Sequence, residues 1–203
     1  EPLVNLDYKL REELREELSS LFSAGNSTVI YATTEPSEAL LLGGYTAVMD
    51  AGELLQYGPT AEVFHQPRSI RVARAFSDPP MNLVEAEAVD GGLRLRGGAN
   101  LPVNLPGEAS RSVTVGIRAS ALRETARPGD IGIPGEVELA EISGSDTFVH
   151  VNTAQGELVA QLTGVHEFDL GAHITLHIDP SQVYVFDRAG DLVRAPRRQE
   201  VKA

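Results

Sequence analysis

The sequence contains no cysteine and no tryptophan, and it is poor in basic residues. Without cysteine, neither a disulfide framework nor a thiolate metal site can form. Lys and Arg number 17 against 29 Asp and Glu, which gives a formal net charge of −12. Nucleic acid is therefore a disfavoured partner, because phosphate neutralisation needs a basic surface and base stacking needs aromatic side chains. No apolar run reaches the roughly 20 residues that span a bilayer.

The 203 residues, 42% of them hydrophobic, predict one or two globular domains with a buried core. Residues 1–77 alternate helical and strand patterns. Leucines at three- and four-residue spacing predict a first helix, which Gly25 and Asn26 would end as a left-handed cap. Residues 27–33 predict a buried strand, and residues 37–42 a short helix behind Pro36. Residues 45–57 predict a hairpin, followed by helices at 60–65, capped by Thr60, and at 69–76.

The pattern changes after Asp78, where Pro79 and Pro80 mark a boundary. Short alternating segments separated by Gly, Pro, Asn and Asp predict eight strands. They are residues 83–89, 93–96, 112–117, 135–142, 147–151, 157–162, 173–178 and 183–186. So many short strands over ~120 residues favour a small barrel or sandwich of the OB type.

Several segments, in this order, resemble the ATP-binding subunits of ABC transporters, in particular the maltose-type class of sugar importers. They are EPLVNLD (1–7), YATTEPSEA (31–39), VMDAGELLQYGP (48–59), EVFHQP (62–67), FSDPPMN (76–82), and GIR with GEV (116–118, 135–137). Each segment alone is weakly diagnostic, but their common order along the chain is specific.

The resemblance implies an α/β remnant of a P-loop ATPase domain at residues 1–77, followed by an all-β OB-like barrel, the TOBE regulatory domain, at 78–203. The sequence contains no G-x-x-x-x-G-K-[ST] segment, whose backbone amides and lysine would hold phosphate. The chain begins with Glu-Pro-Leu, so we expect it to be part of a longer subunit. That parent would use ATP and Mg²⁺, whereas this chain alone should not hydrolyse ATP.

The resemblance also assigns roles to individual residues. Glu1 matches the catalytic carboxylate that orients the attacking water. Asn5, Leu6 and Asp7 match the D-loop, which crosses the seam of the ATPase dimer. An Asn or Asp ahead of an amphipathic helix is also an ordinary N-cap, and both roles can hold together.

Thr34 stands where the family has the switch histidine that contacts the γ-phosphate. A threonine hydroxyl can donate a hydrogen bond but carries no charge, and Glu35 adds negative charge beside an anionic site. The resemblance therefore implies a degenerate ATP site in the parent, with a partner subunit supplying the competent histidine. The alternative is that Thr33 and Thr34 only cap the helix behind Pro36.

The remaining polar groups are weaker candidates. His150 and His166 lack the ligand spacing of a zinc site. His173 and His177, four apart, would face the same side of a strand, but the intervening carboxylates and cysteines of a closed site are absent, so we expect no metal. Residues 143–146 have the composition of a turn.

The resemblance implies a peripheral protein on the inner face of the cell membrane. Its partners would be a second ATPase subunit, in a homodimer or heterodimer, transmembrane permease subunits and a regulatory protein. A different class of function also stays open, in which the chain is a non-enzymatic module that senses a sugar, an oxyanion or a signalling protein. The sequence upstream of Glu1 separates the two hypotheses.

Overall fold

A computed structural model describes residues 3, 6–25, 28–105 and 112–196 of the chain. Its first part contains helices and a two-stranded hairpin. In chain order these are α1 (Tyr8–Ala24), α2 (Pro36–Leu42), β1 (Tyr45–Asp50), β2 (Glu53–Pro59), α3 (Thr60–His65) and α4 (Ile70–Ala75). The predicted helices and hairpin are confirmed, with ends that agree within a few residues.

The hairpin turn follows its sequence signal. Gly52 has a φ of +80° at the turn between Asp50 and Glu53, a region that glycine enters without steric cost. One face of the hairpin is covered, because Val48 packs in a small core with Val63, Val72 and Phe76. The other face exposes Tyr45 and Tyr57, whose rings stack 5.7 Å apart.

The prediction of a buried strand at residues 27–33 was wrong. Residues 28–33 form no strand, and Ile30 is 94% exposed. A strand needs a neighbour for its backbone hydrogen bonds, and no strand in the described part of the chain pairs with this segment. Ser27 lies outside the described residues.

Two predicted helix caps also differ. Gly25 ends α1 with extended backbone (φ −89°, ψ 148°) and not in the left-handed conformation. Pro59 is the N-cap of α3, and the Thr60 hydroxyl instead donates to the carbonyl of Gly43 at 3.0 Å. Thr60 is 3% exposed, so its hydroxyl is used to join α3 to the end of α2.

The second part of the chain is all β. Its strands are β3 (Asn82–Val89), β4 (Gly92–Leu95), β5 (Asn100–Leu101), β6 (Ser112–Ile117), β7 (Leu122–Arg123), β8 (Ile131–Ser143), β9 (Asp146–Thr153), β10 (Gly156–Thr163), β11 (His173–Ile178), β12 (Tyr184–Phe186) and β13 (Leu192–Arg194). They form a six-stranded sheet in the order β13-β12-β6-β3-β4-β5 and a five-stranded sheet in the order β10-β9-β8-β11-β7.

All eight strands predicted after Asp78 are present, and β5, β7 and β13 were missed. These three have two or three residues each, too few to show a period-two alternation. The two sheets share one apolar core, to which Leu93 and Val115 contribute from one sheet and Ile133 and Val149 from the other. The all-β, OB-like expectation is thereby confirmed.

Within the described residues, no helix has both the length and the apolar character needed to cross a membrane.

Candidate functional site

Thr34 lies in a bend between the extended segment 28–33 and α2. The helix starts at Pro36, whose fixed φ and missing N–H suit a first helical position. Thr34 is exposed, and its backbone neighbour Glu35 donates its N–H to the Thr33 hydroxyl at 3.0 Å. The bend, which we call the switch corner (residues 31–38), therefore presents the Thr34 side chain to solvent.

Glu38 is the buried hydrogen-bond acceptor that links the residues of the switch corner. It is 5% exposed, and its carboxylate accepts hydrogen bonds from the Thr33 hydroxyl at 2.6 Å and the Tyr31 phenol at 3.1 Å. Arg15 of α1 donates to the same carboxylate at 3.4 Å. A buried carboxylate is tolerated when it is paired and hydrogen-bonded in this way. The sequence pattern alone does not distinguish Glu38 from the other acidic residues of this segment.

These contacts shift the pKa values of Glu38 and Tyr31. Burial by itself would raise the pKa of Glu38, but the hydrogen bonds from Thr33, Tyr31 and Arg15 outweigh it and lower the pKa below its usual value. Burial and the hydrogen bond to Glu38 raise the pKa of Tyr31 to about 12. Near neutral pH, the cluster is therefore an ionised carboxylate that accepts from a neutral phenol.

Ion pairs connect the switch corner to α1. Arg15 contacts the carboxylates of Glu35 at 3.1 Å and Glu38 at 3.4 Å, and Arg11 lies 3.6 Å from Glu35. Arg15 is largely buried, with 16% of its side chain exposed, so screening by solvent is weaker here than at an open surface. The corner next to Thr34 is thus fixed to the helix that follows the D-loop-like segment.

The D-loop-like residues are described in part. Asp7 is the N-cap of α1, and its carboxylate accepts from the Leu10 N–H at 3.0 Å. The Leu6 carbonyl accepts from the Arg11 guanidinium at 3.1 Å. The N-cap prediction is confirmed for Asp7, whereas Glu1 and Asn5 lie outside the described residues.

The histidines of the β domain lie apart from this corner. His150 is 2.7 Å from Glu157, and His166 is 3.4 Å from Glu124. In the part of the chain that the structure describes, no three side chains of the metal-ligating types converge. Residues 143–146 form the β8–β9 turn, with Gly144 at a φ of +62°, as their composition predicts.

Known proteins match this chain over both of its parts. The TOBE domain family model matches residues 115–186. The sn-glycerol-3-phosphate import ATP-binding protein UgpC of Paracoccus denitrificans is 32% identical over 189 residues, and that of Escherichia coli K12 is 33% identical over 191. Both alignments cover 92% of this chain but 53% of the relative. The chain is homologous to the C-terminal region of ABC-importer ATP-binding subunits.

The chain spans about half the length of the curated relatives it matches. Among solved structures, the cytoplasmic molybdate-binding protein ModG in its molybdate-bound form has a TM-score of 0.43 at 16% identity. That similarity covers 51% of this chain and 94% of ModG, and no functional argument follows from so weak a match.

The residues of this chain do not by themselves fit ATP and Mg²⁺. The sequence has no P-loop. Within the switch corner, the Glu35 carboxylate pairs with Arg11 and Arg15, and the Glu38 carboxylate pairs with Arg15. The guanidiniums of Arg11 and Arg15 are engaged by these carboxylates, so a phosphate near Thr34 would have to compete with Glu35 for them.

Arg118 is the arginine of the GIR segment at residues 116–118, and the sequence alone predicts no role for it. It follows β6 of the TOBE domain and reaches back to the first part of the chain. Its guanidinium donates to the carbonyls of Phe64 (2.8 Å) and Phe76 (2.7 Å) and to the Ser77 hydroxyl (2.8 Å). It also lies over the Phe64 ring, 4.0 Å from the centroid. A three-residue motif such as GIR identifies a basic residue but not the groups that this residue contacts in the folded chain.

Proposed function

We propose that this chain is the C-terminal portion of the ATP-binding subunit of an ABC importer, with residues 1–77 from the nucleotide-binding domain and 78–203 forming the TOBE regulatory domain. The observation that carries the proposal is the 32–33% identity to glycerol-3-phosphate import ATP-binding proteins over 92% of the chain. The similarity thus extends through both parts of the chain and not through the TOBE domain alone. The solute would be a sugar, a polyol or a polyol phosphate.

The parent subunit binds ATP and Mg²⁺ in this proposal, and permease subunits and a second ATPase subunit complete the transporter at the inner face of the membrane. The D-loop-like position of Asp7, at the N-cap of α1, is consistent with that assembly. The rival function is a non-enzymatic binding module that retains only this tail of the family.

The first experiment is to determine the intact mass and the upstream coding sequence of the natural gene product. A product about twice as long, with a P-loop and a signature motif ahead of Glu1, is expected from the 53% coverage of the relatives. A product that starts near Glu1 would overturn the ATPase proposal and favour the binding module.

We further propose that the parent is the degenerate member of an ATPase pair, because Thr34 occupies the exposed tip of the switch corner. Its hydroxyl cannot supply the charge of an imidazolium. In the full-length subunit, Thr34→His is expected to raise the ATPase rate of the purified homodimer, and Thr34→Ser to leave it unchanged. High activity of the unaltered homodimer without a partner would contradict the degenerate-site proposal but not the importer assignment.

A further inference from the structure

Helix α4 is buried on two sides by two different parts of the chain. Val72, which is fully buried, packs with Val48, Val63 and Phe76 on the hairpin side. Ala73, also fully buried, packs with Met81, Tyr184 and Phe186 on the TOBE side. Adjacent residues of one short helix therefore belong to two apolar clusters.

Backbone hydrogen bonds fix the start of α4 to the end of the TOBE domain. The Ile70 N–H donates to the Gly190 carbonyl, and the Leu192 N–H donates to the Arg68 carbonyl, both at 2.9 Å. Ser69 and Asp191 form an isolated β-bridge between these two bonds. The segment ahead of α4 is thus paired like a short strand with the residues around β13.

Arg118 fixes the other end of α4. Its donors reach Phe76 and Ser77, which directly follow the helix, and Phe64 in α3. Ser77 in turn donates its hydroxyl to the Ala73 carbonyl at 2.8 Å. One planar guanidinium therefore satisfies acceptors in α3 and in the two residues that follow α4. The flexible ammonium group of a lysine cannot bind all of them in the same geometry.

We propose that Arg118 is the coupling residue that makes α3, α4 and the TOBE domain move as one unit. A displacement of the TOBE domain is then passed through α4 to the β1–β2 hairpin, which follows the switch corner in the chain. Residues 77 and 78 accordingly do not mark a mechanical boundary in the chain. The physical coupling is a property of this chain, and its regulatory meaning rests on the proposed function.

The test is native-state hydrogen exchange on this chain, comparing the wild type with Arg118→Gln and Arg71→Gln. Arg71 is the matched control, because it is an arginine of α4 whose contacts, with Asp50 and Glu53, are exposed and on the hairpin side. Loss of charge-assisted hydrogen bonds predicts a fall of about tenfold or more in the protection of the α4 amides in Arg118→Gln. Amides of β6 and β9 should keep their protection, and Arg71→Gln should change α4 by no more than about threefold.

Three results would overturn the proposal. One is equal loss of protection in α4 and the TOBE sheets, which indicates general destabilisation. Another is unchanged protection of α4 in Arg118→Gln, and the third is an equal effect of Arg71→Gln. If Arg118→Gln does not fold, Arg118→Lys is measured in its place, with a smaller but still α4-selective loss expected. A lysine variant that also fails to fold would identify Arg118 as a general folding requirement and contradict the proposal. None of these results bears on the importer assignment.

Discussion

The side-chain amide of Asn82 pairs with the backbone of Val159 across the two sheets of the all-β part of the chain. The Val159 N–H donates to the Asn82 amide oxygen at 2.7 Å, and the Asn82 amide nitrogen donates to the Val159 carbonyl at 2.9 Å. The same nitrogen donates to the Ile117 carbonyl at 3.2 Å. Asn82 is 7% exposed and begins β3. Val159 lies on β10, the edge strand of its sheet. The Asn82 side chain thus takes the place of a strand neighbour for β10 and joins it to β3 of the other sheet.

Substitution of Asn82 is expected to destabilise the TOBE domain. Asn82→Ala leaves buried backbone groups of Val159 and Ile117 unpaired and should lower the free energy of unfolding by about 2–4 kcal/mol in urea denaturation. Asn82→Asp keeps the shape and the acceptor but loses the donors, and should be at least as damaging at pH 7. Asn152→Ala, on an exposed β9 position, is the control and should change stability by less than about 0.5 kcal/mol. Comparable stability of the Asn82 and Asn152 variants would refute the role of the pair.

Gly135 is required by the close approach of two strands. A Cβ at this position would lie 2.6 Å from the Asn152 carbonyl oxygen and 2.6 Å from Val151 Cγ1. Because the nearest obstacle includes backbone, Gly135→Ala should cost about 1–3 kcal/mol of unfolding free energy. Gly58→Ala is the control, since its added methyl meets nothing closer than Val63 at 3.5 Å. A thermal unfolding midpoint that falls equally in both variants would contradict this explanation.

The lowered pKa of Glu38 predicts a loss of stability in acid. A carboxylate whose folded pKa lies below its unfolded pKa binds its proton first in the unfolded state, so its stabilisation is complete above the unfolded value. This contribution is lost as the pH falls from about 4.3, the ordinary glutamate value, through the lower folded value. Glu38→Gln should lose stability at pH 7 and show a shallower decline below pH 4.5 than the wild type. Parallel pH profiles from urea denaturation would disprove the contribution of Glu38.

The raised pKa of Tyr31 predicts a separate alkaline signature. With a folded value of about 12, above the ordinary value of about 10, the neutral phenol is favoured in the native state. Its stabilisation is present below pH 10 and is lost as the pH rises through the folded value. The absorbance at 295 nm, taken as the difference between the wild type and Tyr31→Phe, should show this late titration. In Glu38→Gln the titration of Tyr31 should move to lower pH, although burial keeps the pKa of Tyr31 above the ordinary tyrosine value. A titration that does not respond to Glu38→Gln would show that the carboxylate is not its cause.

Local patterns in the sequence are sufficient for most elements of this fold. The leucine spacing of α1, the Asp50–Gly52 turn and the alternation of β9 and β10 depend on neighbours within a few residues, and each was predicted with its approximate ends. The family resemblance also located the corner at Thr34. These features share a physical cause, because helical and strand periodicities and turn preferences depend on short stretches of chain.

The tertiary structure decided the features that depend on distant partners. Residues 28–33 have the composition of a strand, but no strand in the described part of the chain pairs with them, so composition alone gave the wrong prediction. Arg118 and Asn82 acquire their roles from groups that lie far along the sequence, Val159 being 77 positions from Asn82. Glu38 combines the nearby Thr33 and Tyr31 with Arg15 of a different helix. The sequence by itself determined most of the helices and strands and their order, but not the pairing that decides whether a strand-like segment or a very short strand forms. Which polar side chains join those elements was settled only by packing, because a buried hydrogen bond is specified by the geometry of both partners.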